Sequence, residues 1–199
     1  NVEEGGIVVV DTAMVPSLTE PEGVTVIGIP ATKMCEEAGL KGLGNIVLIG
    51  MPGCGKSSVG KALAAALNRP FLDADEEIVR RAGCSIPEIF AAQAEAGFRR
   101  LESAVLADLG KQSGIILATG GGCVTRPENY PSLHQNGYIV WLTRDLSLLP
   151  TDGRPMSQAN PLEALWERRK ALYEQFSDIK AANDGTISEC VNAIEEALL

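Results

Sequence analysis

From residue 45 onward, short apolar runs alternate with longer stretches in which apolar positions recur every three or four residues. Continuous Ile/Val/Leu runs read as strands buried on both faces, and the three-to-four spacing reads as helices packed against them. Strands are predicted over 45–49, 69–73, 115–119, 138–142 and 178–182. Helices are predicted over 58–67, 76–82, 86–94, 97–110, 127–135, 161–176 and 186–198, with Gly83 and Gly97 as breaks. Alternation of this kind implies an α/β domain of three layers, a central five-stranded parallel sheet flanked by helices.

Residues 1–44 carry a weaker pattern. Strands are predicted over 7–10 and 24–29, separated by Pro16, Pro21 and Gly23, then a short helix over 31–40 and a glycine-rich linker over 39–44. No chemistry is legible there. The segment is read as an addition, the tail of a neighbouring fused domain or a fragment of a longer chain, in front of a domain spanning 45–199.

The stretch Gly50-Met51-Pro52-Gly53-Cys54-Gly55-Lys56-Ser57 fits G-x-x-x-x-G-K-[S/T], and it lies between a predicted strand and a predicted helix. Glycines let successive backbone N–H groups converge on phosphate oxygens, and the helix that follows points its positive end at the same anion. Lys56 would reach the terminal phosphates of ATP, and the Ser57 hydroxyl would help to hold Mg²⁺.

Two more groups fall at strand ends, where open parallel sheets bind their ligands. Asp73 and Asp75 are two residues apart, so persisting strand geometry would send both side chains to one face. Together they could supply a carboxylate near a metal and a group that positions an attacking hydroxyl; alternatively Asp75 caps the next helix. Gly120, Gly121 and Gly122 either let backbone approach a ligand or make a tight turn. Arg99, Arg154 and Arg169 are candidate anion ligands, although surface salt bridging is an arginine's commonest fate.

A formal charge of −9 argues against a general nucleic-acid surface, so any anionic ligand must be held by local cations. The single histidine, His134, is read as a surface residue. Cys35, Cys54, Cys84, Cys123 and Cys190 form no close pair, which suits reduced thiols in a cytoplasmic protein. Cys54, inside the loop, is read as a small filler that would be open to oxidation if exposed. No apolar run approaches the roughly 20 residues that a membrane-spanning helix needs, and the N-terminal residues lack the basic start of a signal peptide.

Gly50–Ser57, Asp73-Ala74-Asp75, Gly97-Phe98-Arg99-Arg100-Leu101-Glu102, Thr119–Gly122, Gly153-Arg154-Pro155 and Arg169–Tyr173 follow the order and approximate spacing of the shikimate kinases. Over residues 45–199 the chain resembles that family. The resemblance implies a monomeric cytoplasmic enzyme that uses ATP and Mg²⁺ to phosphorylate the 3-hydroxyl of shikimate, a step toward chorismate and the aromatic amino acids. By position it implies that Gly53, Cys54, Gly55, Lys56, Ser57 and Ser58 hold the ATP phosphates. Asn183 would frame adenine, and Ser57 with Asp73 would hold the metal. Shikimate would meet Asp75, Arg99, Gly120, Gly121, Gly122 and Arg169, with Lys56, Asp75 and Arg154 as the catalytic groups. One departure stands out: the segment from Leu142 to Arg154 is shorter than the family usually has, and Leu146–Leu149 lacks the arginine common there. Two rival readings remain, a related kinase for another small hydroxy acid or a nucleoside monophosphate, and a catalytically weak nucleotide-binding regulatory module.

Overall fold

A computed structural model describes residues 7–10, 25–28, 44–149 and 162–198. The chain divides into two units between Gly44 and Asn45. In the first, β1 (Ile7–Val10) and β2 (Thr25–Gly28) pair in parallel. The helix and linker predicted over 31–44 lie almost wholly outside the described residues.

The second unit runs β3 (Asn45–Ile49), α1 (Lys56–Leu67), β4 (Phe71–Asp73), α2 (Ala74–Ala82), α3 (Ile86–Leu109), β5 (Ile116–Ala118), α4 (Asn129–His134), β6 (Gly137–Thr143), α5 (Leu162–Phe176), β7 (Ile179–Ala182) and α6 (Ile187–Leu198). Its five strands form one parallel sheet in the order β4-β5-β3-β6-β7. β3 and β5 are buried along their whole length, whereas the edge strands β4 and β7 are short and partly exposed. From β3 the chain runs outward to β4, returns to β5, and then crosses to β6 and β7. The phosphate-loop strand therefore stands where the strand order reverses, the place at which such sheets bind ligands.

Register is pinned at both ends of β3. At its start, the fully buried Asn45 donates to the Gln112 carbonyl (2.6 Å) and to Asn136 Oδ1 (3.2 Å), and accepts from the Ile115 N–H (3.1 Å). One amide side chain thus ties the approaches to β5 and β6 to β3. At its far end the Leu48 carbonyl accepts from both the N–H and the hydroxyl of Thr119 (3.1 and 2.9 Å). Among the described residues no helix is long and apolar enough to cross a membrane.

Two expectations change. The predicted break at Gly97 lies instead at Ala94 (φ 55°, ψ −177°), so 86–109 is one kinked helix with Gly97 inside it. In a straight helix Phe90 and Phe98, eight residues apart, would stand about 12 Å apart along the axis; here their rings stack with centroids 4.6 Å apart. The strand geometry expected to carry Asp73 and Asp75 ends at Asp73, and Asp75 sits in the first turn of α2. His134 stands partly exposed at the end of α4, as the sequence suggests; its ring stacks on Tyr130 and its Nε2 lies 3.0 Å from Asp178 Oδ1.

The Ala94 conformation is one that essentially only glycine adopts without strain, and because the position is already non-helical a glycine there forfeits no helix propensity. Ala94→Gly is therefore expected to stabilise the fold by about 1 kcal/mol, read as a raised urea midpoint with unchanged slope.

Candidate active site

At the carboxyl edge of the sheet lies a cleft of about 570 Å³. Its first wall is the phosphate loop. Gly50 and Gly55 have φ of 145° and 99°, and a Cβ on Gly50 would stand 2.4 Å from the Leu142 carbonyl oxygen, so the loop's course requires glycine at both. Gly55 is the residue before α1, and Lys56, Ser57 and Ser58 form its first turn, all lining the cleft with Gly53. Lys56 Nζ donates to the Gly50 and Met51 carbonyls (2.9 and 3.0 Å). Cys54 lies beneath the loop, fully buried, so the exposure that oxidation would need is absent.

β4 delivers the acidic corner. Asp73 is the N-cap of α2, with Oδ1 accepting from the Asp75 N–H (2.9 Å) and Oδ2 accepting from the Ser57 hydroxyl (2.7 Å). The capping role weighed for Asp75 thus belongs to Asp73, which leaves Asp75 facing the cleft. Ser57 and Asp73 form an all-oxygen donor pair beside the phosphate loop, which suits Mg²⁺, an ion that takes one or two carboxylates and completes its shell with phosphate and water.

The second wall is built from α3, the glycine run after β5, and α5. Ile86, Pro87 and Phe90 come from one half of the kinked helix, and Phe98, Arg99 and Glu102 from the other. Arg99 and Glu102 are buried and paired at 2.6 Å, and Arg99 also reaches Glu95 at 3.4 Å. Burial drives the Glu102 carboxyl above its ordinary range, outweighing the pull of Arg99. For Arg99 the balance is opposite: burial lowers the guanidinium, and the two glutamates more than compensate.

The glycine run is needed for space rather than for backbone angle. A Cβ on Gly120 would meet Glu102 Oε1 at 2.7 Å and Asp75 Oδ1 at 3.0 Å; on Gly121, Pro52 at 2.8 Å; on Gly122, the Arg99 guanidinium at 2.2 Å. The Gly121 carbonyl accepts from Arg169 Nη1 (3.1 Å) and from the Tyr173 hydroxyl (2.5 Å), two side chains one turn apart on α5. Tyr173 is fully buried against Trp141, so the core sets the position of this wall.

Asp73, Asp75, Arg99, Gly120, Gly121, Gly122 and Arg169 thus share one cleft with the phosphate loop. Asn183 does not line it: its amide donates to the Cys54 carbonyl (2.8 Å) and buttresses the loop from behind. Arg154 lies outside the described residues. Glu102 and Tyr173 lie inside the sequence motifs but carry no role there, and Arg144, which also lines the cleft, belongs to none of those motifs. Spacing could have suggested Glu102, three residues from Arg99 on one helix face; nothing local marks Arg144.

A glycine-shaped phosphate loop at the reversal point of a parallel sheet, facing an acidic corner and a wall of buried cations, defines a P-loop phosphotransferase domain. The sequence model of the shikimate kinase family matches residues 52–199, and the chain belongs to that family. A shikimate kinase of Burkholderia pseudomallei (strain 1710b) is 42% identical over 140 residues, 66% of this chain and 76% of the relative. One from Synechococcus sp. (strain RCC307) is 43% identical over 166 residues, 78% of this chain and 82% of the relative. Among solved structures, the shikimate kinase of Acinetobacter baumannii in complex with shikimate superposes with a TM-score of 0.72 at 32% identity, covering 81% of this chain and 96% of that one. The Aquifex aeolicus enzyme gives 0.69 at 34% identity, over 77% and 95%.

Removing one partner of the buried Arg99–Glu102 pair strands a charge in the wall. Glu102→Ala is expected to cost about 3 kcal/mol in urea unfolding. The double replacement Arg99→Met with Glu102→Leu should recover most of that stability and still lack acceptor-dependent ADP release, separating the pair's structural cost from its use.

Proposed function

We propose that this domain transfers the γ-phosphoryl group of ATP to the 3-hydroxyl of shikimate, with Mg²⁺ held between Ser57, Asp73 and the nucleotide phosphates. The observation that carries the reading is one cleft with a triphosphate-binding loop on one side and, on the other, a carboxylate beside two buried arginines. Such a wall suits an acceptor that bears both a hydroxyl and a carboxylate. The A. baumannii relative, solved with shikimate, supports the same acceptor.

Each residue then has a physical task. The N–H groups of Gly53 to Ser58 and the Lys56 ammonium hold the phosphate chain, offering fixed dipoles to charge that spreads over the phosphoryl oxygens in a loose transition state. The metal, when bound, neutralises part of that charge. Asp75 orients the acceptor hydroxyl and takes its proton as the bond to phosphorus forms. Arg99 and Arg169 clamp the carboxylate, and Gly120 to Gly122 bring backbone against the ring. Arg154 is assigned to the transferring phosphoryl group on the strength of the resemblance. Residues 1–44 are read as an addition preceding the kinase domain, in keeping with the division of the chain at Gly44.

A coupled assay of ADP release, run with and without shikimate, tests the reading. Shikimate-dependent release is expected; release that ignores shikimate but follows another hydroxy acid would sink it. Asp75→Asn should lower kcat by about a hundredfold or more while leaving the KM for ATP nearly unchanged. Arg169→Ala should raise the shikimate KM by about tenfold or more, because a charge-assisted contact is lost. An unaltered KM would remove Arg169 from the clamp.

A further inference from the structure

The glycine run makes room in the cleft, but it leaves the backbone there free to turn. Side chains at Gly120, Gly121 and Gly122 would strike Glu102, Pro52 and Arg99, and without them no Cβ opposes rotation of the peptides between these residues. The Gly121–Gly122 peptide stands in the acceptor wall. In one orientation it shows the cleft an N–H group. Turned over, it would show a carbonyl oxygen, which repels a carboxylate.

The group that holds it comes from the core. The Gly121 carbonyl accepts from the Tyr173 hydroxyl at 2.5 Å and from Arg169 Nη1 at 3.1 Å, so both of its lone pairs are taken. A trans peptide carries its N–H opposite its carbonyl, so the Gly122 N–H points away from Tyr173. Among the described residues no backbone acceptor takes that N–H. Of the two donors on the carbonyl, Tyr173 has the fixed position: it is fully buried, its ring stacks on Trp141, and its hydroxyl lies 3.9 Å from Met51 Sδ. Burial also pushes the phenol well above its ordinary range, so it stays a donor far into the alkaline range. Arg169 lines the cleft and has four N–H donors left over. Were it the sole donor to the carbonyl, its charge would be drawn toward that oxygen and away from an arriving anion.

We propose that Tyr173 is a positioning residue for the acceptor: its hydroxyl holds the Gly121 carbonyl on the core side, which presents the Gly122 N–H to the acceptor and spares the Arg169 guanidinium for the acceptor carboxylate. The proposal rests on the acceptor reading given above. Tyr173 itself touches no substrate; it acts through the peptide and through Arg169.

The test is Tyr173→Phe in the full chain, which keeps the ring on Trp141 and removes only the hydroxyl. In the ADP-release assay the KM for shikimate should rise about fivefold or more, with kcat and the KM for ATP close to the parent's. Hydrogen exchange at the Gly122 amide gives a second measurement, and in the parent it does not depend on how well the variant folds. Shikimate should protect that amide in the parent and protect it far less in Tyr173→Phe. A shikimate KM equal to the parent's would overturn the proposal. So would a parallel rise in the KM for ATP, which would make Tyr173 a brace of the phosphate loop through Met51, or a parent Gly122 amide that shikimate leaves unprotected while driving ADP release. A wrong acceptor assignment shows itself separately, as ADP release in the parent that ignores shikimate.

Discussion

Everything at this site hangs from the register of one strand. In an all-parallel sheet every strand ends on the same edge, and a slip of one residue would turn each side chain to the opposite face. β3 is held at one end by Asn45, which binds the approaches to both neighbouring strands, and at the other by the doubly hydrogen-bonded Leu48 carbonyl. Two residues past Leu48 the phosphate loop begins; immediately past Thr119 the glycine run begins. The distance between the two walls of the cleft is therefore fixed by sheet hydrogen bonds, and the loops inherit it.

Charge is spent sparingly in this acidic chain. The Arg99–Glu102 pair is buried, and each ion's desolvation offsets much of their attraction, so the pair is a poor source of stability. What it provides is a dehydrated guanidinium held in one orientation at the cleft wall. From α5, Arg169 and Tyr173 both converge on the Gly121 carbonyl, and Tyr173 is packed on Trp141 in the core, so this wall of the cleft borrows its rigidity from hydrophobic packing.

The features legible in sequence were those with local signatures. Central strands showed as apolar runs because both faces are buried, and the phosphate loop showed because its backbone angles exclude side chains. Gly97 shows where local reading stops. A glycine in a helical pattern suggests a break, yet the chain bends at Ala94 and Gly97 stays helical; glycine is needed there because a Cβ would stand 2.3 Å from Gln93 Cβ. The glycine signal was real, but it reported crowding created by a bend three residues earlier. The two readings left open for Asp75, persisting strand geometry or a helix cap, have a similar origin: nothing local says that Asp73 itself caps the helix and ends β4. Arg144 and the burial of Glu102 depend on contacts between distant elements, which periodicity does not carry.

The segment after Arg144 is held by contacts that begin where β6 ends. Asp145 accepts from the N–H and hydroxyl of Ser147, capping a 3₁₀ turn over Leu146–Leu148, and its own N–H donates to Asp184 Oδ1 beyond β7. Leu149 is buried. The chain leaving β6 is thus anchored for five residues to the end of the neighbouring strand and to the core. A side chain at position 144 takes its place from the sheet and from this anchored turn, before the chain reaches the part of the sequence that carries Arg154.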